Sequence, residues 1–216
     1  MRPMFFSFDG IDGGGKSTQI EKFRAWLSLR GIESLVCRDP GGTELGERIR
    51  SILLEPTTHP MDMRAEMLLY MASRAQLVSE VISPAILEGK VVISDRYIPA
   101  TVAYQGYGGG LAPEDIKVTG QIAVGNLLPD MTFILDLDYP TSQSRLQGSA
   151  DRIEARGQEY FDKVREGFLE QARQEPDRML VINANLSVDQ IHHKICDAAK
   201  SIMTQSRSSV PGRDRR

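Results

Sequence analysis

The chain has 216 residues, 41% of them hydrophobic and 25% charged, with a formal net charge of −3. This is the profile of one ordinary globular domain with a sizeable core. The segment from Thr204 onward is net +3 (Arg207, Arg213, Arg215 and Arg216 against Asp214), which leaves −6 for the body and argues against nucleic-acid binding by it.

The first predicted element is the apolar run Met4 to Phe8, a strand ending at Asp9. Gly10-Ile11-Asp12-Gly13-Gly14-Gly15-Lys16-Ser17 follows and fits G-x-x-x-x-G-K-[ST]. Glycines let successive backbone N–H groups turn inward around an anion, and the next helix adds its positive N-terminal end. Gly10, Ile11, Asp12, Gly13, Gly14, Gly15, Lys16, Ser17 and Thr18 therefore read as a cradle for a nucleoside triphosphate. Lys16 reaches the β/γ-phosphates; Ser17 is the usual Mg²⁺ ligand and Thr18 a second candidate. A plain glycine turn is the duller alternative. The strand before the loop and the periodic helix after it (Ile20, Phe23, Trp26, Leu27) count against that alternative.

The helix stops at Gly31, and Ser34 to Cys37 is a second strand. Arg38-Asp39-Pro40-Gly41-Gly42-Thr43 is a turn cluster at that strand's end, where α/β sheets bind ligands. Thr43 opens a helix carrying Ile49, Arg50 and Leu53. A second helical pattern, Met63 to Leu87, is broken or ended near Pro84 and sets Tyr70 and Arg74 four residues apart on one face. Val91 to Ser94 is a buried strand ending in Asp95-Arg96-Tyr97, a carboxylate and a guanidinium suited to metal and phosphate. Ile98 to Gly110 reads as a short helix running into a mobile glycine-rich loop. Pro113 to Pro129 frames a helix, and Met131 to Leu137 is a strand. Pro140 starts a helix that includes Arg145, Gln147 to Arg156 is polar, and Glu159 to Glu175 is helical. Met179 to Asn183 is the last strand, followed by a helix from Ser187 to Met203.

Five strands alternating with helices predict an α/β fold, a parallel sheet covered by helices on both faces. Residues 1–203 form a single domain with a lid at about 147–157, and 204–216 form a basic tail read as disordered. Cys37 and Cys196 give neither metal-ligand spacing nor a disulfide framework. No apolar run approaches the ~18 residues that span a bilayer, and Met1-Arg2-Pro3 leads straight into a strand, so a cytoplasmic protein is expected.

Several motifs in order resemble the thymidylate kinases, a family of P-loop nucleoside-monophosphate kinases. Phe8 to Thr18 is similar to F-E-G-x-D-G-x-G-K-S-T. Arg38 to Thr43, with Gly46 to Arg50 and Leu53-Leu54, resembles R-E-P-G-G-T-x-x-G-E-x-I-R-x-x-L-L. Tyr70, Arg74 and Gln76 resemble F-x-A-x-R-A-Q. Asp95 to Gly106 resembles D-R-Y-x-x-S-x-x-A-Y-Q-G, and Asp151-Arg152-Ile153-Glu154 resembles the lid motif.

The resemblance implies transfer of the ATP γ-phosphoryl group to dTMP, with Mg²⁺, in a homodimer. Lys16 and the loop would hold the donor, and Arg96 with Arg38 the acceptor phosphate. Asp9 and Asp95 would face Mg²⁺ or the acceptor end, with Ser17 and Asp95 as the metal ligands. Tyr70 would stack on thymine; Arg74, Thr101, Gln105 and Arg50 would read its edge or the sugar. Among the available arginines Arg145, Arg152 and Arg156, Arg152 is taken as the catalytic cation, because Gly13 stands where some members carry a loop arginine. The catalytic set is thus Lys16, Arg152, Asp95, Arg96 and Asp9. Without the family pattern Tyr70 reads as core, a helix-face aromatic being more often packing than a ligand platform, and Arg50 and Arg74 as solvated helix charges. The lid looks short, Ala100 replaces Ser and Gly109 replaces Arg. A broader deoxynucleoside-monophosphate kinase and a nucleotide-binding dimer without turnover are the alternatives.

Overall fold

The computed structural model describes residues 2–55, 59–146 and 151–208, with side chains to residue 204. Its strands are β1 (Phe5–Asp9), β2 (Ser34–Arg38), β3 (Val91–Asp95), β4 (Met131–Asp136) and β5 (Met179–Asn183), all parallel in the order β2-β3-β1-β4-β5. Parallel strands covered on both faces need continuous apolar runs. β1 and β4 supply them, buried at every position except Asp136. Phe6 and Phe8 join one core with Phe23, Phe133 and Ile195, while Phe5 and Val92 join another with Leu77 and Ile82. Successive side chains of β1 thus serve opposite layers. Register brings Phe8 of β1 and Arg38 of β2 beside Asp95 of β3, so the carboxyl ends of three strands, including Asp9, open on one edge.

The helices are α1 (Lys16–Ser28), α2 (Glu44–Leu54), α3 (Met63–Leu77), α4 (Ser83–Leu87), α5 (Ile98–Thr101), α6 (Pro113–Val124), α7 (Tyr139–Arg145), α8 (Gln158–Gln174) and α9 (Val188–Ser208). Thr43 caps α2 by accepting from the Gly46 amide, and Asp138 caps α7 by accepting from Thr141.

Several expected boundaries differ. Pro84 does not end its helix: a π-helical stretch, Val78–Ile82, links α3 to α4, and Pro84 falls in the first turn of α4, where a missing N–H costs little. α6 ends at Val124 ahead of Gly125, short of Pro129. α9 continues past Met203 to Ser208, into the segment expected to be tail; residues 209–216 of that tail, and 147–150 of the expected lid, lie outside the described residues. The largest correction is Ile98 to Gly110. α5 runs directly into a π-helical stretch, Val102–Gly108, and Val102 to Gly106 are buried. Its glycines serve close packing: a Cβ on Gly108 would stand 2.7 Å from the Tyr160 ring and 2.8 Å from Val164 of α8. Composition alone gives glycine as loop or as close contact, and here contact prevails.

Candidate active site

β1 delivers the chain into the glycine loop, and α1 begins at Lys16 after Gly15 at φ 87°. Lys16 is buried and donates to the Gly10 carbonyl (3.1 Å), the Ile11 carbonyl (3.1 Å) and Asp12 Oδ1 (3.1 Å), spanning the loop from inside. Ser17 and Thr18 are exposed on the first turn of α1. Gly13, at φ 77°, lies under α7. A Cβ there would approach the Ser142 carbonyl oxygen to 2.8 Å, so a side chain has no place at this position.

Arg96 closes the loop from the β3 side. It donates to the Gly10 carbonyl (3.0 Å), Asp12 Oδ1 (2.8 Å) and the Tyr104 hydroxyl (3.3 Å), with its guanidinium 5.0 Å from the Tyr104 ring centre. Its own φ is 71°, a left-handed backbone costing about 1–3 kcal/mol, typical of residues held for function. Burial raises the Asp12 carboxyl, and Arg96 and Lys16 more than reverse this, holding it well below the usual carboxylate range.

The cavity beside this clasp encloses about 130 Å³ and is lined by Arg38, Arg50, Tyr70, Arg74, Arg96, Thr101 and Gln105, seven of the eight expected substrate residues. The eighth, Asp9, lies buried at the end of β1. Arg74 is 1% exposed, so it is not a solvated helix charge. Its Nε donates to Asp39 Oδ2, Nη1 to Met71 Sδ (3.0 Å), and Nη2 to Thr101 Oγ1 (2.9 Å) and the Tyr97 carbonyl (3.2 Å). Arg50 donates to the Pro40 carbonyl at 3.1 Å, and half-exposed Arg38 pairs with Glu47 at 3.0 Å. Gln105 is held by Glu66, to which its amide donates at 2.8 Å.

Both oxygens of Asp9 and Oδ1 of Asp95 are buried without a partner. Unpartnered carboxylate oxygens beside a phosphate cradle suit a hydrated divalent cation, so the residues present fit Mg²⁺. Burial pushes the Asp9 carboxyl up to about 6, against the pull of Arg96 and Lys16. The native state therefore binds more protons than the unfolded chain between about pH 4 and 6, and stability falls as pH rises through that window. Above it the buried anion costs about 3 kcal/mol. Asp9→Asn is expected to raise the Tm of the ligand-free protein at pH 8 by about 6–12 °C, with the gain vanishing near pH 4. An equal gain at both pH values in calorimetry would contradict the assignment.

The arginines beyond β4 divide. Arg145 stands against the loop, donating to the Ala184 carbonyl (3.0 Å), the Gly13 carbonyl (3.4 Å) and Asn185 Oδ1 (3.3 Å). Arg152 is not brought to the loop. Its Nε donates to the Leu53 carbonyl (2.8 Å) and its Nη2 lies 2.6 Å from Glu66 Oε2, where Arg156 also donates at 2.6 Å.

Sequence reasoning misses Asp39 and Glu66 as site residues. Asp39 reads as part of a turn; its signal is adjacency to Arg38 at a strand end. For Glu66 the signal is spacing, since Glu66, Tyr70 and Arg74 recur every four residues along α3.

A sequence model described as thymidylate kinase matches residues 8–195. The chain is 46% identical over 200 residues to a thymidylate kinase of Chlorobium luteolum, covering 88% of this chain and 93% of that one. With a thymidylate kinase of Bifidobacterium longum subsp. infantis the identity is 44% over 198 residues, covering 88% and 83% respectively. A crystal structure of thymidylate kinase from Ehrlichia chaffeensis superposes with a TM-score of 0.76 at 32% identity, over 92% of this chain and 99% of that one. Likeness at this level spans the loop, the cavity and the elements that carry them, and the chain belongs to the thymidylate kinase family.

Proposed function

We propose that the chain transfers the γ-phosphoryl group of ATP to dTMP, giving dTDP and ADP as a step towards dTTP for DNA replication. The observation that carries this reading is Arg74, a guanidinium sealed in the cavity wall and oriented by Asp39, Thr101 and the Tyr97 carbonyl. Four of its five N–H donors are used by these groups and Met71, which leaves one Nη1 proton for an acceptor on the base, and a base without one leaves that proton unsatisfied. Tyr70, one turn earlier on α3, offers a ring to the base.

Phosphoryl transfer needs positioning and charge neutralisation more than covalent chemistry. Lys16 and the loop amides hold the donor phosphates, while Arg96, at the boundary of loop and cavity, meets the acceptor phosphate and the transferring group. Arg38 and Arg50 add positive charge on the far wall. Ser17 and Asp95 would hold Mg²⁺, which when bound neutralises charge on the β- and γ-phosphates. Arg152 contributes its charge from the roof of the cavity, where it pairs with Glu66.

A homodimer is part of the proposal, supported by α3 and α6, which leave Leu68, Val118 and Ile122 more than half exposed. A cytoplasmic location is supported by the unbridged Cys37 and Cys196. No helix among the described residues is long and apolar enough to cross a membrane.

Arg74→Ala tests the reading. It is expected to raise the KM for dTMP roughly tenfold to a hundredfold and to leave the KM for ATP within about twofold. Equal changes in both constants would remove Arg74 from base recognition.

A further inference from the structure

Glu66 is 0% exposed and carries more partners than its single charge can satisfy. Oε1 accepts from the Gln105 amide at 2.8 Å. Oε2 accepts from Arg156 Nη2 at 2.6 Å, and Arg152 Nη2 lies 2.6 Å from the same oxygen without an aligned hydrogen bond. Arg156 is anchored a second time: it donates to the Tyr160 hydroxyl at 2.9 Å and stands 4.8 Å from that ring's centre. The Tyr160 hydroxyl donates in turn to the Tyr104 carbonyl at 2.8 Å, and the Tyr104 ring carries Arg96. Asp151 and Ile153, on either side of Arg152, line the cavity.

One buried carboxylate therefore joins the cavity wall, through Gln105, to the segment that roofs it, through Arg152 and Arg156. Removing a buried charge that faces two guanidinium groups leaves both without a counter-ion in a poorly solvated place. Gly109 leaves no room for a side chain that could take their place, since a Cβ there would stand 2.7 Å from the Gln105 carbonyl oxygen. The cations facing Glu66 come from the roof itself.

We propose that Glu66 is a positioning residue for phosphoryl transfer, a single carboxylate that sets Gln105 in the wall and holds Arg152 and Arg156 in the roof of the acceptor cavity. This rests on the dTMP kinase reading above. Its loss is felt in turnover and acceptor binding together, and not in ATP binding, because none of its partners touches the glycine loop.

The test is Glu66→Gln, which keeps shape and removes charge, assayed with dTMP and ATP varied separately. Turnover is expected to fall about tenfold or more and the KM for dTMP to rise by about threefold to tenfold, with the KM for ATP within about twofold. In hydrogen exchange, added dTMP is expected to protect residues 151–156 in the wild type and not in the variant. Normal turnover and undiminished protection, with only a lowered Tm, would make Glu66 a stability residue and overturn the proposal. Should the variant fail to fold, Arg156→Gln decides: protection by dTMP lost supports the proposal, and protection kept overturns it. A wild type without dTMP-dependent turnover would instead refute the functional reading itself.

Discussion

Lys16→Ala is expected to lower turnover on the order of 10²- to 10³-fold, the scale of removing one pre-placed cation or donor from a developing oxyanion. The structure gives a specific reason to expect the upper end. Lys16 Nζ is buried inside its loop and satisfies two main-chain carbonyls and one carboxylate at once. On the proposed reading the substitution removes the charge that would meet the phosphates, and it also leaves the Gly10 and Ile11 carbonyls facing inward, where they would repel an anion. The loss should fall mainly on turnover and the constant for ATP, with the KM for dTMP changed little, because Lys16 does not line the acceptor cavity. Steady-state kinetics with both substrates varied would show this. A variant with near-normal turnover would refute the donor assignment.

Arg96→Ala has the second large expected effect, a loss in kcat/KM for dTMP on the order of 10³-fold. Arg96 lines the acceptor cavity, yet donates into the donor loop at Gly10 and Asp12. On the proposed reading it would place both substrates in one electrostatic environment. Alanine would keep the left-handed backbone cost at position 96 and remove the contacts that offset it. Lys16 and Arg96 share Asp12 Oδ1 and the Gly10 carbonyl, so the double variant should lose much less than the product of the single losses. Fully multiplicative losses would mean that the two cations act independently.

Much of this site is legible in the amino-acid sequence. The strand ends, the glycine loop and the spacing of Tyr70 and Arg74 depend on local rules, namely parallel-strand burial, phosphate-cradle geometry and the four-residue helix repeat. Where tertiary packing overrides those rules, reading fails. Ile98 to Gly110 reads as a short helix running into a loop because four of its residues are glycines, but with Gly108 packed on α8 the helical path continues to Gly108. Asp39 and Glu66 escape for a related reason. Each is defined by a partner distant in sequence, Arg74 for one and Gln105, Arg152 and Arg156 for the other; the four-residue repeat along α3 puts Glu66 on the face of Tyr70 and Arg74 but does not reach those partners. Chemistry requires a cation at the transferring phosphoryl, which is why the sequence points to Arg152 there, while the fold sets that arginine on Glu66.

The departures from the family pattern also acquire physical content. Gly13 is enforced by the Ser142 carbonyl and Gly109 by Met63 and the Gln105 carbonyl, so neither position could carry arginine without moving its neighbours. Ala100 lines the cavity next to Thr101, which makes acceptor choice the property most exposed to change.

Acceptor choice is accordingly the most direct measurement: ADP formation by the purified protein with Mg-ATP and dTMP, dUMP, dGMP, dCMP or AMP offered one at a time. The account predicts strong preference for dTMP, set by Arg74 and Tyr70. Comparable rates with several acceptors, or no acceptor-dependent ADP at all, would contradict it.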